Sequence, residues 1–211
     1  MKQRPDRWRR GFTLIEILAV IAIIGLLMSI LVVSLGKQAE TGRIAECKAR
    51  LEQIQILLES YSSRVGDYPP SHLAPLGVKA NNHVNEGIEA LVAALKAGDY
   101  AGRRPEEGWL ANTDGDQDEG LRLVDGSHAL LELVDPWDNP IVYIANGDYR
   151  DEFPYRFGTG ANAEDITVRA AVNPLTQAPQ EFEGFQLLSA GPDGLPGTED
   201  DIANYELPQR D

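Results

Sequence analysis

Cysteine is almost missing from this 211-residue chain. Cys47 is the only one, so no intramolecular disulfide can form. The fold must then be held by packing or by something else, such as a metal. Basic residues are also scarce, with 19 Lys and Arg against 33 Asp and Glu, a formal net charge of −14. Residues 1–11 hold Lys2, Arg4, Arg7, Arg9 and Arg10 against Asp6 alone, so removing them moves −14 to −18. A surface of that sign repels nucleic acid and anionic headgroups and favours cations. No nucleophile motif, phosphate-cradling glycine loop or zinc-ligand spacing occurs, so an enzyme is not expected. His72, His83 and His128 stand isolated among polar loop residues, where surface or local hydrogen-bonding roles are expected. There is no internal repeat and no low-complexity tract.

Charge is missing from residues 12–35 except at Glu16. That run exceeds the roughly 20 residues a helix needs to cross hydrocarbon. The basic cluster before it is expected to stay cytoplasmic, which puts residues 36–211 outside the cytoplasm as one globular domain. A secretory signal peptide would show a small-residue cleavage pattern after the apolar core, and "VVSLGKQAE" lacks a good one. An uncleaved anchor fits the hydropathy but leaves Glu16 unexplained, because an intramembrane acid is costly unless paired.

Beyond the apolar run, Ile44, Cys47, Leu51, Ile54, Leu58 and Tyr61 recur at spacings of three and four, an apolar stripe on one helical face. "GDYPP" ends that helix, giving a nearly continuous helix from Phe12 to about Arg64, with Gly36 and Gly42 as places to bend or melt. A second helix is expected over "EGIEALVAALKAG", where Ile88, Leu91, Val92 and Leu95 share a face. Strands are expected at 141–145, 155–158, 166–172 and 185–190, joined by turns into a small antiparallel sheet. The fold class is α+β, a long helix packed on that sheet.

Two acidic stretches carry chemistry. In "AGPDGLPGTEDDI", Asp193, Asp200 and Asp201 lie among glycines and prolines that turn the backbone repeatedly. Inward carbonyls plus carboxylates make a hard-oxygen setting that suits Ca²⁺ more than Mg²⁺; the bland alternative is an exposed acidic turn. In "NTDGDQDEG", Asp114, Asp116 and Asp118 alternate like the start of an EF-hand loop, and Asp125 falls at the twelfth position. Glu119 stands where a sharp-turn glycine belongs and no helix pair flanks it, so a solvated acidic loop is the expectation, with an ion as the weaker reading. Trp109 and Trp137 are read as packing residues rather than a sugar platform.

The segment "RRGFTLIEILAVIAIIGLL" resembles the type III signal of type IV pilins and pseudopilins. "DPWDNPIVY" at 135–143 and "LLSAGPDGLPGTEDDIANY" at 187–205 are similar to the major pseudopilins of type II secretion, as are "YPPS" and "GIEALVAAL". The resemblance implies a type IV pilin-like fold with a carboxy-terminal calcium loop. It implies cleavage between Gly11 and Phe12 by a prepilin peptidase that then methylates the new amine. Glu16 would face the Phe12 amine of another subunit as a register signal. Side chains of Asp193, Asp200 and Asp201, carbonyls of Ala190 and Leu195, and Thr198 carry over as calcium positions. The implied role is a homopolymeric pseudopilus subunit in the inner membrane and periplasm. Its implied partners are minor pseudopilins and an inner-membrane assembly platform. Alternatives are a type IV pilin for adhesion or DNA uptake and a membrane-anchored calcium-dependent binding module. Asp138 departs from the family's common Gly, and the regions 99–125 and 147–181 look expanded.

Overall fold

The computed structural model describes residues 13–79, 82–96, 104–116 and 129–207, with the backbone alone for 29–37. It is α+β, with an amino-terminal helix and small antiparallel sheets. Helix α1 spans Leu14–Val65 and includes Gly36 and Gly42, so the expected melting at these glycines does not occur. The chain divides into two compact units, with the boundary in sequence between Gly42 and Arg43.

In the first unit the side chains from Leu14 to Met28 are exposed, Leu14 at 82% and Ile15 at 74%. Among the described residues no helix is long and apolar enough to cross a membrane. The expected span, 12–35, runs past the described side chains at both ends.

The second unit has its own core. The predicted stripe on α1 forms one wall of it: Cys47, Leu51, Ile54 and Leu58 are buried, joined by Leu57, while Ile44 and Tyr61 pack at its margins. Helix α2 (Glu86–Lys96) is buried from Glu86 to Leu95, which requires partners on every side. Among the described residues seven short strands follow: β1 (Leu110–Ala111), β2 (Glu132–Leu133), β3 (Val142–Ala145), β4 (Glu152–Phe157), β5 (Glu164–Arg169), β6 (Phe185–Ser189) and β7 (Ile202–Ala203).

The single sheet of successive hairpins is corrected to three sheets, β1-β2, β3-β6-β7 and β4-β5, all antiparallel. Strands consecutive in sequence pair in β1-β2, β4-β5 and β6-β7, but β3 skips the β4-β5 hairpin to pair with β6, Val142 opposite Leu188. The reason is burial. Every residue of β3 and β6 is buried, as in a central layer, whereas β4 and β5 alternate and leave one face wet. Close approach fixes α2 on this layer. A Cβ added at Gly87 would lie 2.5 Å from the Tyr155 hydroxyl and closer still to the Tyr143 carbonyl oxygen.

Candidate functional site

At the start of α1, Glu16 is tied to Thr13. Its Oε2 accepts from the Thr13 backbone N–H at 2.8 Å and from the Thr13 hydroxyl at 2.7 Å. The Glu16 N–H lies 3.3 Å from Thr13 Oγ1. This reciprocal pair is a capping box, in which two otherwise orphaned helix-end donors are satisfied. The Thr13-x-x-Glu16 spacing was the available signal for it. Gly11 and Phe12 lie outside the described residues.

The carboxy-terminal loop runs from Ala190, fully buried at the end of β6, to Asp201 before β7. Gly191 takes φ 63°, and a Cβ there would collide with the Asp200 carbonyl, so the two ends of the loop touch through backbone. Inside it the Thr198 hydroxyl donates to Leu195 O at 3.2 Å and Asp200 Oδ1 at 2.5 Å. Asp200 Oδ2 accepts from the Asp193 N–H at 2.9 Å, and Asp201 Oδ2 from the Gly197 N–H at 2.7 Å. Asp193 Oδ1 caps the Leu195 N–H at 2.8 Å. The expected oxygen donors therefore sit in one closed loop. Their carboxylates do not form one of the clusters of described residues whose oxygens lie within 4.8 Å of one another.

Two groups in this loop are electrostatically distinct. Burial pushes Asp201 up to about 6, against the Gly197 donation and with help from the Asp200 and Asp193 charges. For Asp200 burial also opposes the charge, but the Thr198 hydroxyl and the Asp193 amide outweigh it and hold the carboxyl below its usual range. Asp201 Oδ1 is buried without a hydrogen-bond partner. An orphaned acidic oxygen beside other acids is the feature a cation would satisfy.

The "DPWDNP" turn buttresses this loop. Asp135 Oδ1 accepts from the N–H groups of Trp137 and Asn139 at 2.9 and 3.0 Å, and Asp135 Oδ2 from Ser189 Oγ at 2.6 Å. Asp138 adopts φ 65°, the left-handed region that glycine occupies most readily and that Asp tolerates. The Asp at a position expected to be glycine is thus sterically accounted for. Asn139 accepts from the Gly158 N–H at 2.9 Å and lies against Gly194, where a Cβ would come 3.2 Å from Asn139 Nδ2.

The second acidic stretch differs from expectation. Asp116 is 4% exposed and Asp114 is half-buried, so the solvated-loop reading is corrected at these positions; Asp118 and Asp125 lie outside the described residues. The segment folds back because the Gly115 N–H donates to Asn112 Oδ1 at 2.6 Å and Asn112 Nδ2 to Asp116 O at 2.7 Å. That turn places Asp114 beside Glu89 of α2 and Glu132 of β2, with one carboxylate oxygen from each within 4.8 Å of the others. Burial, then the Asp116, Asp114 and Glu132 charges, push Glu89 up to about 10. Burial also pushes Glu132 up to about 7, opposed by donations from Asn85 and Thr113. Neither Glu89 nor Glu132 stood out in the sequence. An acid inside an otherwise apolar helix was the only hint.

His72 Nε2 lies 3.1 Å from Asp151 Oδ2 and its Nδ1 3.5 Å from Glu86 Oε1, with its ring 5.0 Å from that of Phe153. His83 meets Glu86 Oε2 at 3.0 Å. Both therefore make local polar contacts, although His72, Asp148 and Asp151 also converge as a His-carboxylate group. His128 is outside the described residues. Trp109 and Trp137 pack on the core, and the Arg50 guanidinium lies 5.4 Å above the Trp109 ring.

Residues 9–32 match the prokaryotic N-terminal methylation motif. Over 96% of its length the chain is 27% identical to the type II secretion system core protein G of Escherichia coli (strain K12), covering 94% of that protein. It is 24% identical to the protein of the same name from Klebsiella pneumoniae, covering 94% of this chain and 96% of that one. Against the Pseudomonas aeruginosa protein of that name the identity is 28%, over 67% of this chain and 77% of the relative. No solved structure gives a significant match.

Proposed function

We infer that this chain, homologous over most of its length to type II secretion system core protein G and bearing a prepilin-type methylation motif, is a structural pseudopilin subunit. The role is mechanical rather than enzymatic. The carrying observation is that the motif at 9–32 holds Gly11, Phe12 and Glu16 together, on a chain similar to its relatives nearly end to end.

The leader 1–11 is removed between Gly11 and Phe12 by a prepilin peptidase, which methylates the new amine. The apolar start of α1 holds the subunit in the inner membrane until assembly, with 36–211 as a type IV pilin-like domain in the periplasm. Exposed Leu14, Ile15, Ile17 and Leu18 support this, because so much contiguous apolar surface needs lipid or other copies of the helix to cover it. In the assembled filament Glu16 faces the Phe12 amine of a neighbour. Its capping of Thr13 sets the cost of that exchange: the new partner must replace two local hydrogen bonds within a low-dielectric core. Minor pseudopilins and the assembly platform complete the machine.

The carboxy-terminal loop binds calcium through Asp193, Asp200 and Asp201, with Thr198 and the Ala190 and Leu195 carbonyls. Support comes from the closed oxygen-rich turn and the orphaned Asp201 Oδ1. The ion stabilises the last loop of a domain that has no disulfide.

The assembly role is tested with Glu16→Ala in cells carrying the secretion apparatus. The variant should be cleaved like the wild type, yet yield no sheared or pelletable filament. A normal filament yield would refute the register role.

A further inference from the structure

We propose that Glu89, Asp114 and Glu132 form a second calcium site, separate from the carboxy-terminal loop. One oxygen from each lies within 4.8 Å of the other two. That limit is the diameter of a coordination shell with oxygens at ~2.4 Å, the usual calcium distance.

Three acids together are not a site by themselves. Glu89 makes the difference. It is 1% exposed on a helix buried on all sides, and its Oε1 has no hydrogen-bond partner among the described residues. A buried carboxylate oxygen in that state must meet a proton or a cation. No Lys, Arg or His nitrogen of the described residues lies within 4.0 Å of the Glu89, Asp114 or Glu132 carboxylates. Arg156 approaches, but its Nη1 reaches the Asp114 backbone carbonyl at 3.4 Å, and its Nε and Nη2 are held by Asp165 at 2.7 and 2.8 Å.

Glu132 is prepared for the same role by neutral donors. Its Oε1 accepts from Asn85 Nδ2 at 3.1 Å and Thr113 Oγ1 at 3.3 Å, and its Oε2 from the Thr113 N–H at 3.0 Å. A carboxylate offers about four lone-pair directions, so Oε2 keeps one for an ion. These donors fix the orientation without neutralising the charge, as supporting hydrogen bonds do at metal centres. Asn85 itself is locked, with φ 60°, its carbonyl accepting from Ile88 and Glu89 and its Oδ1 from Arg156 N–H at 2.9 Å. The cradle thus joins α2, β2 and β4 through one residue. Asp114 completes it from the half-exposed side, with Asn82 Nδ2 on its Oδ2 at 2.9 Å.

The donors are all oxygen, which selects a hard cation over zinc or copper. Mg²⁺ retains several waters, and Glu89 and Glu132 are too enclosed to admit them, so calcium is the better fit. The proposal does not rest on the filament role, and it extends the reach of calcium from the last loop to the helix–strand core.

The test is calcium titration by calorimetry of the full chain in detergent, with circular dichroism to verify folding. Wild type should bind two ions, and Glu89→Gln and Asp114→Asn one each. A folded Asp200→Asn/Asp201→Asn variant should keep one ion, which adding Glu89→Gln removes. If the loop assignment alone is wrong, wild type and the loop variant both bind one ion and Glu89→Gln binds none, which still supports the present site. Wild-type stoichiometry in both Glu89→Gln and Asp114→Asn would overturn it, as would a folded loop variant that binds none. Should Glu89→Gln not fold, Asp114→Asn decides by the same count. Tighter binding of Mg²⁺ than of Ca²⁺ at the site would overturn the choice of ion.

Discussion

Gly87→Ala should cost the second unit much of its stability, even though alanine favours helices. A Cβ at this position would lie 2.5 Å from the Tyr155 hydroxyl and nearer still to the Tyr143 carbonyl. Tyr155 is fully buried, accepts from the Tyr143 N–H at 3.0 Å and donates to Tyr143 O at 3.2 Å. The methyl group meets both atoms, so it can enter only if α2 lifts from β3 and Tyr155 also gives up these bonds. Overpacking costs about 1–3 kcal/mol and an unsatisfied buried hydroxyl about 1–3 kcal/mol, against a helix-propensity gain of about 1 kcal/mol. The net loss is roughly 3 kcal/mol, or a fall in Tm of roughly 6–12 °C for a domain of this size. Differential scanning calorimetry of the full chain at fixed calcium measures it. Gly42→Ala is the control, since nothing lies within 4 Å of a Cβ there, and it should leave Tm unchanged or slightly higher. A Gly87→Ala protein as stable as wild type would refute the close packing of α2 on β3.

Cys47 should react with a thiol reagent only on unfolding, because it is fully buried and burial, against the Ser189 contact, pushes its thiol up to about 11; rapid labelling of the native chain would contradict this. For His72, burial opposes the charged form, but the Asp151 hydrogen bond and the Glu86 and Asp148 charges outweigh it and raise the pKa. Its stabilising contribution is therefore complete below the ordinary histidine range and is lost as pH rises through the elevated value. The Tm difference between wild type and His72→Gln should stay constant below the ordinary histidine value and shrink as pH rises above it, and a difference constant throughout would exclude the ion pair. Asp201→Asn should remove the loop's share of calcium stabilisation, about 2.7 kcal/mol at a hundredfold excess over Kd. An undiminished Tm shift on adding calcium would count against Asp201 as a ligand.

Much of the helical architecture was legible because its signal is periodic. Cys47, Leu51, Ile54 and Leu58 recur on one face and are buried together, and the apolar positions of α2 marked that helix. Strands β3 and β6 were legible as short apolar runs between turns. Strand β4 begins earlier than expected, at Glu152, because Pro154 argues against a strand; it is tolerated since β4 pairs on one side only, with β5. Strands β1, β2 and β7 are two residues each, too short to show alternation. The pairing of β3 with β6 across an intervening hairpin depends on burial in three dimensions, which spacing does not encode.

The sites divide the same way. The carboxy-terminal loop is contiguous, so its oxygen-bearing residues lie close along the chain, and the structure brings Asp193, Leu195, Thr198, Asp200 and Asp201 into one hydrogen-bonded turn. The Glu89, Asp114 and Glu132 cluster comes from a helix, a loop and a strand. Asp114 stood in a recognisable pattern with Asp116, whose charge also bears on Glu89, while Asp118 lies outside the described residues. Asn85 explains the difference: a left-handed residue ahead of α2 that bonds three separate segments cannot be inferred from its neighbours.

The most direct test of the central claim is the intact mass and amino-terminal sequence of the protein taken from its native membranes. Processing as a pilin-class subunit predicts a chain that starts at Phe12 and carries one added methyl group. A chain that retains residues 1–11 would contradict the filament role and leave the acidic domain to be tested as a calcium-binding module in its own right.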